Sequence, residues 1–159
     1  MQLRQVKKEI RLLGLSFTSI YKGYQAVGVI FKRNMFLDGV FTSHVREGEN
    51  LDLNVSRMIR DSKHFNQIRV IIFENDSIPP KENLDPFFLF EETGKPVLQL
   101  SKNKAIDERY MFRWRYWTVY SAGLGKKDAI KVLDTSTRDV DYPEVLRISN
   151  LILRALHNI

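Results

Sequence analysis

The run Ile68-Arg69-Val70-Ile71-Ile72-Phe73-Glu74 constrains the fold more than any other segment. A strand with one wet face alternates apolar and polar residues. A continuous β-branched and aromatic run instead predicts burial on both faces, at the centre of a sheet covered by helices. The flanks agree. Asn50 or Asp52 is placed to cap a helix running to about Phe65, with Val55, Met58, Ile59 and Ser62 at helical spacing. Pro79-Pro80 breaks the chain after the strand.

Upstream, residues 9–17 and 24–32 read as strands, and Arg33-Asn34-Met35 as the turn into a third, 36–46, with Gly39 as a bulge. Downstream, residues 84–93 read as a helix closing at Gly94, and 97–101 as a fifth strand after Pro96. A helix is predicted over 107–122, ended by Gly123 and Gly125. Residues 129–133 read as a short strand or helix. Pro143 opens a last helix over 143–157, with Val145, Ile148, Ile152, Ala155 and Ile159 on one apolar face. An opening meander followed by alternation means a mixed sheet with packed helices in the α/β class. At 159 residues the chain is expected to form a single domain with one core.

Composition narrows the chemistry. With no cysteine, the chain can form no disulfide, thiolate metal site or cysteine nucleophile. No apolar run approaches the ~18–20 residues of a membrane span, and the N-terminus lacks an apolar signal core. A cytoplasmic location is therefore expected. The net charge of +6 favours anionic partners, nucleic acid first among them.

His44, His64 and His157 show no metal-ligand spacing, and each has an ordinary reading: packed or exposed in a strand, at a helix end, and frayed near the C-terminus. Asp38 reads as a turn residue, and Glu47-Gly48-Glu49-Asn50-Leu51-Asp52 as an exposed acidic loop. Gly123-Leu124-Gly125-Lys126-Lys127 reads as a basic helix C-cap, not a phosphate loop. The segment Arg109-Tyr110-Met111-Phe112-Arg113-Trp114-Arg115-Tyr116-Trp117 is unusual. On a helix, Arg109, Arg113, Tyr116 and Tyr120 would share a face suited to phosphate contact and base stacking, while Trp114 and Trp117 fill the core.

Several blocks, in order along the chain, resemble the archaeal endonuclease dU-like family, which is related to endonuclease V. They are Lys7-Lys8-Glu9 through Leu15-Ser16-Phe17, Val27-Gly28-Val29-Ile30-Phe31 with Leu37-Asp38-Gly39-Val40, Ser62-Lys63-His64 with Gln67-Ile68-Arg69-Val70-Ile71, Thr93-Gly94-Lys95-Pro96-Val97, and Thr135-Ser136-Thr137-Arg138 with Pro143-Glu144-Val145-Leu146-Arg147. The resemblance implies a ribonuclease H-like mixed sheet, a three-strand antiparallel meander plus parallel strands, with flanking helices. It also implies a magnesium or manganese site held by carboxylates on neighbouring strands.

Here Ser16 and Phe17 stand where the family has two aspartates. Glu74-Asn75 replaces an Asp-Gly, Glu47-Gly48-Glu49-Asn50 replaces an Asp-Gly-x-Asp, and Asn150 replaces a histidine. Glu74 is left as the catalytic and metal candidate, with Asp38, and Asp76 beside it, for a rebuilt site. Hard cations require several convergent oxygens, preferably charged. The expectation is a family member with a degenerate metal site that binds nucleic acid through Arg109, Arg113, Tyr116, Lys126 and Lys127, or serves a protein partner. The alternatives are an active magnesium- or manganese-dependent endonuclease on deaminated-base DNA, and a protein-interaction or homodimerisation module.

Overall fold

The computed structural model describes residues 10–32, 36–79, 82–102, 109–138 and 140–157. The expectations for Lys7-Lys8-Glu9, the Arg33–Met35 turn and Ile159 lie outside these residues. The strands are β1 (Arg11–Ile20), β2 (Gly23–Lys32), β3 (Phe36–Arg46), β4 (Ile68–Glu74), β5 (Val97–Ser101), β6 (Met111–Trp114) and β7 (Trp117–Ala122). They form one sheet in the order β3-β2-β1-β4-β5-β7-β6. The pairs β1–β4 and β4–β5 are parallel. The meander β1–β2–β3 and the pairs β5–β7 and β6–β7 are antiparallel.

As its sequence predicts, β4 is central, with Ile68, Val70, Ile71, Ile72 and Phe73 all 0% exposed. Each such side chain stabilises the fold by about 1.5–3 kcal/mol relative to exposure. The alternation of β4 supplies two separate cores. Ile71 and Phe73 join Leu13, Leu15 and Phe17 of β1 under the helices α1 (Leu51–Asp61) and α2 (Pro86–Thr93). Val70 and Ile72 join Leu12, Val27 and Val29 under α3 (Lys126–Thr135) and α4 (Glu144–His157).

Local chemistry fixes the first two helices. Asn50 caps α1, its side chain accepting from Leu53 N at 3.0 Å, and the helix stops at Asp61, so that Ser62 is its C-cap. Asp85 caps α2 by accepting from Phe87 N at 2.9 Å, and Gly94 closes it in the left-handed conformation (φ 70°). The bulge in β3 falls one residue before Gly39. Ile30 pairs with Gly39 and Phe31 with Leu37, so Asp38 is the extra residue.

Of the helix predicted over 107–122, the described residues 111–122 are instead the hairpin β6–β7. Phe112, Trp114, Trp117 and Val119 all enter the α3/α4 core, while Arg113 stays exposed. That alternation is the strand period of two, and burying four large side chains outweighs helical propensity. The turn is Arg115-Tyr116, where Arg115 adopts φ 54°. A side chain seldom takes this conformation. Its guanidinium is held by Asp141 at 2.9 Å and Asp134 at 3.8 Å, and lies 4.8 Å from the Trp114 ring.

The Gly123–Lys127 segment follows from this. It leaves a strand, and Gly125 is the N-cap of α3 rather than part of a helix C-cap. Residues 129–133 lie inside α3. The inward face of α4 is also rotated from the predicted one. Val145, Leu146, Ser149 and Leu153 are buried, Ile148 and Ile152 are partly buried, and Ala155 is exposed.

Candidate functional site

The parallel strands β1, β4 and β5 end on one edge of the fold, and polar groups collect there beneath α4. In open α/β sheets this end of the strands is where ligands bind. The β1–β4 register runs to Leu15 beside Phe73, so Ser16 and Glu74 occupy the next level together. By alternation both face α4, whereas Phe17 turns into the α1/α2 core. The predicted juxtaposition of Ser16 and Glu74 is therefore present, and position 17 lies outside it.

The group is closed by hydrogen bonds. Ser16 Oγ and Ser149 Oγ share a short bond, and Ser149 Oγ donates to Leu146 O at 3.0 Å. Each hydroxyl has one hydrogen, so Ser16 donates to Ser149. Gln25 of β2, 6% exposed, accepts through Oε1 from His157 Nε2. His157 is thus engaged in α4 rather than frayed. Asn150 Nδ2 donates to Tyr142 Oη at 2.9 Å, and Tyr142 is in turn hydrogen-bonded to Glu74. Burial raises the Glu74 pKa, with Asp76 adding to the rise, while Tyr142 and Lys102 oppose it. Burial and the Glu74 charge raise the Tyr142 hydroxyl.

A carboxyl whose pKa is raised on folding holds its proton more tightly in the native state. Its contribution to stability therefore falls as pH climbs from the unfolded value through the raised one. Glu74→Gln keeps an acceptor for Tyr142 and removes this titration. The variant should match wild type in acid and become the more stable protein as pH rises from ~4 to ~7, by urea unfolding. Asp38 and Glu144, both lowered by arginine partners, titrate in the opposite sense but cancel in the comparison. A difference that does not change with pH would contradict this account.

Asp38 does not join Glu74. It sits at the opposite end of the sheet, accepting from Arg11 Nε at 2.8 Å with Lys32 at 3.8 Å. Three strand spacings and three or four residues separate the two carboxylates, roughly 15–20 Å. Asp76 is near Glu74, but its Oδ2 accepts from Lys102 N at 3.0 Å. No group of three or more histidine, aspartate or glutamate side chains placed to hold a metal occurs among the described residues.

The predicted nucleic-acid residues also divide. Tyr116 lies at the hairpin turn, on the Glu74 end, because Leu100 pairs with both Glu74 and Val119. Arg109 and Lys126 line a cavity of about 130 Å³ at the other end, with Tyr110 and Ser121. Arg113 and Lys127 are exposed. The Arg109 guanidinium lies 5.9 Å from the Tyr110 ring, which stacks 6.0 Å from Tyr120. Arginine–aromatic contact survives here, but at the turns that flank and join the hairpin strands, split between two ends.

No family model matches the chain. By sequence it is 29% identical over 180 residues to the UPF0215 protein of Methanothermobacter thermautotrophicus, covering 94% of this chain and 88% of that one. The chain is a relative of the archaeal UPF0215 proteins. A protein of unknown function from Archaeoglobus fulgidus superposes with a TM-score of 0.80 at 20% identity, covering 92% of this chain and 97% of the other. Endonuclease V of Ciona intestinalis, bound to DNA containing an inosine, gives 0.67 at 10% identity, covering 95% and 87%. The fold of this UPF0215 relative is therefore ribonuclease H-like and shared with endonuclease V. No helix among its described residues is long and apolar enough to cross a membrane.

The divalent metal implied by that fold does not fit the residues present. Glu74 has one carboxylate neighbour, Asp76, whose Oδ2 accepts from Lys102 N, and otherwise the neutral groups Ser16, Ser149 and Asn150, with Gln25 two residues further along the sheet. Neutral oxygens engaged with one another do not replace the charge that a hard cation requires. Sequence reasoning identified Glu74, Ser16 and Asn150 but missed Gln25, Tyr142 and Ser149. Position on the inward faces of β2 and α4 was the only signal for Gln25 and Ser149.

Proposed function

We propose that this chain is a nucleic-acid-binding protein built on an endonuclease V-like scaffold and impaired in metal-dependent cleavage. The observation that carries the reading is the closure of Ser16 on Ser149 beside Glu74, whose carboxylate neighbour Asp76 is turned to the Lys102 backbone N–H. Phosphodiester hydrolysis of the two-metal kind needs carboxylates to hold ions that activate water and stabilise the leaving oxygen. Here that level is satisfied internally. The net charge of +6 and the exposed Arg109, Arg113, Lys126 and Lys127 support retention of binding to a phosphate backbone.

The test uses DNA and RNA containing uracil or hypoxanthine, with magnesium or manganese. The expected result is binding without cleavage, with affinity falling steeply between ~50 and ~200 mM salt as counterions are released. Replacing Arg109 and Arg113 by alanine should weaken binding about equally across sequences, since phosphate contacts carry no base information. Cleavage that disappears in Glu74→Ala would overturn the impaired-site reading. Absence of binding even at low salt would overturn the nucleic-acid reading.

A further inference from the structure

A second cavity, of about 350 Å³, opens beside the Glu74 level and is lined by Lys102, Tyr116, Trp117 and Asp141. Its volume is at the small end of the range typical of ligand sites. It connects to the polar group through Trp117, whose ring lies 5.5 Å from that of Tyr142, the partner of Glu74. We propose that this cavity receives a base of single-stranded nucleic acid, stacked on Tyr116, with the adjoining phosphate at Lys102. The proposal rests on the nucleic-acid reading above and assigns that reading a specific site.

Four observations converge on this class of ligand. Tyr116 is 77% exposed, so its ring is an open aromatic face held in water. Its placement is built rather than incidental. The turn that projects it puts Arg115 at φ 54°, and Asp141, Asp134 and the Trp114 ring hold that residue. Backbone strain of this kind persists only where the surroundings enforce it. The cavity floor is fixed as well, because Trp117 is 6% exposed and its Nε1 donates to Asp141 O at 2.7 Å.

The lining carries a cation that can meet a phosphate. The Asp141 carboxylate is paired with Arg115, and Lys102, which also faces Glu74, is the cation that lines the cavity. The Lys102 amine lies 5.4 Å from the Trp117 ring centroid and shares the cavity lining with Tyr116. An open aromatic face beside a cation is the pattern of single-strand binding, in which unpaired bases stack without sequence preference. Bases inside a duplex cannot reach an isolated ring.

The experiment measures binding of fluorescein-labelled oligo-dT of about ten nucleotides and of an abasic strand of the same length and charge. Wild type should prefer oligo-dT. Tyr116→Ala should lower oligo-dT affinity roughly 5- to 150-fold and remove the preference over the abasic strand, while Tyr116→Phe retains it. Lys102→Ala should weaken both strands alike and lessen the salt dependence. Tyr116 is exposed, so the variants should fold, which circular dichroism checks. Salt-sensitive binding that ignores the abasic change, or that is unaltered in Tyr116→Ala, overturns this site and leaves the broader reading standing. No binding of either strand by wild type at low salt overturns both.

Discussion

Trp117→Ala should lower the stability of the protein by about 3–5 kcal/mol, the cost of removing a large buried aromatic. That is a large share of the ~5–15 kcal/mol available to a typical domain. Three separate losses combine. The α3/α4 core loses one of its largest side chains. Asp141 O loses the indole N–H that it accepts at 2.7 Å. Tyr142 loses the ring packed 5.5 Å away, and with it the support that keeps its hydroxyl on Glu74. Trp117→Phe restores an aromatic ring but not the N–H, and should cost less. Urea unfolding followed by far-ultraviolet circular dichroism measures both. A loss below ~1 kcal/mol for the alanine variant would show that the hairpin is not anchored as described.

Gly14→Val should destabilise the protein by about 1–3 kcal/mol through overpacking, near the upper end of that range. A Cβ at position 14 would lie 2.8 Å from Val145 O and 2.9 Å from Val145 Cγ1. The obstruction includes a helix carbonyl, which cannot rotate aside as a flexible side chain could. Strand β1 is fixed between β2 and β4, so α4 must lift. Ser149 follows Val145 by four residues on the same face, and lifting the helix would separate it from Ser16. Thermal unfolding should show a lowered midpoint for Gly14→Val and a smaller change for Ser16→Ala, which removes the hydroxyl without moving the helix. Unchanged stability in Gly14→Val would refute the close approach of α4 to the sheet.

The strands through β5 and the first two helices are legible because several local signals agree. Val70–Phe73 is apolar without interruption, Asn50 and Asp85 cap, and Gly94 terminates. The hairpin is not legible in the same way. Its turn carries Arg115-Tyr116 rather than the glycine, asparagine or aspartate that positive φ favours. The compensation comes from Asp134 and Asp141, distant in sequence. Aromatic residues are also so dense over 110–120 that they satisfy a helical spacing as readily as a strand alternation.

The site was readable in part for a related reason. Glu74 ends an obvious strand and carries a charge, whereas Gln25 and Ser149 are neutral residues inside apolar elements. Their burial depends on which face of β2 and α4 turns inward, and that is decided by packing against β1.

The misaligned residue in β3 bears on how the molecule keeps to itself. An outermost strand of eleven residues presents a row of backbone donors and acceptors to any passing chain. Asp38 breaks that row, and its tie to Arg11 fixes the break in place. A foreign strand laid along this border would keep register from Arg46 as far as Gly39, then lose it before Phe36 and Leu37, the two most exposed apolar side chains of the strand. The irregularity thus sits where sticky side chains and open backbone would otherwise coincide, and it guards the margin of the sheet against aggregation.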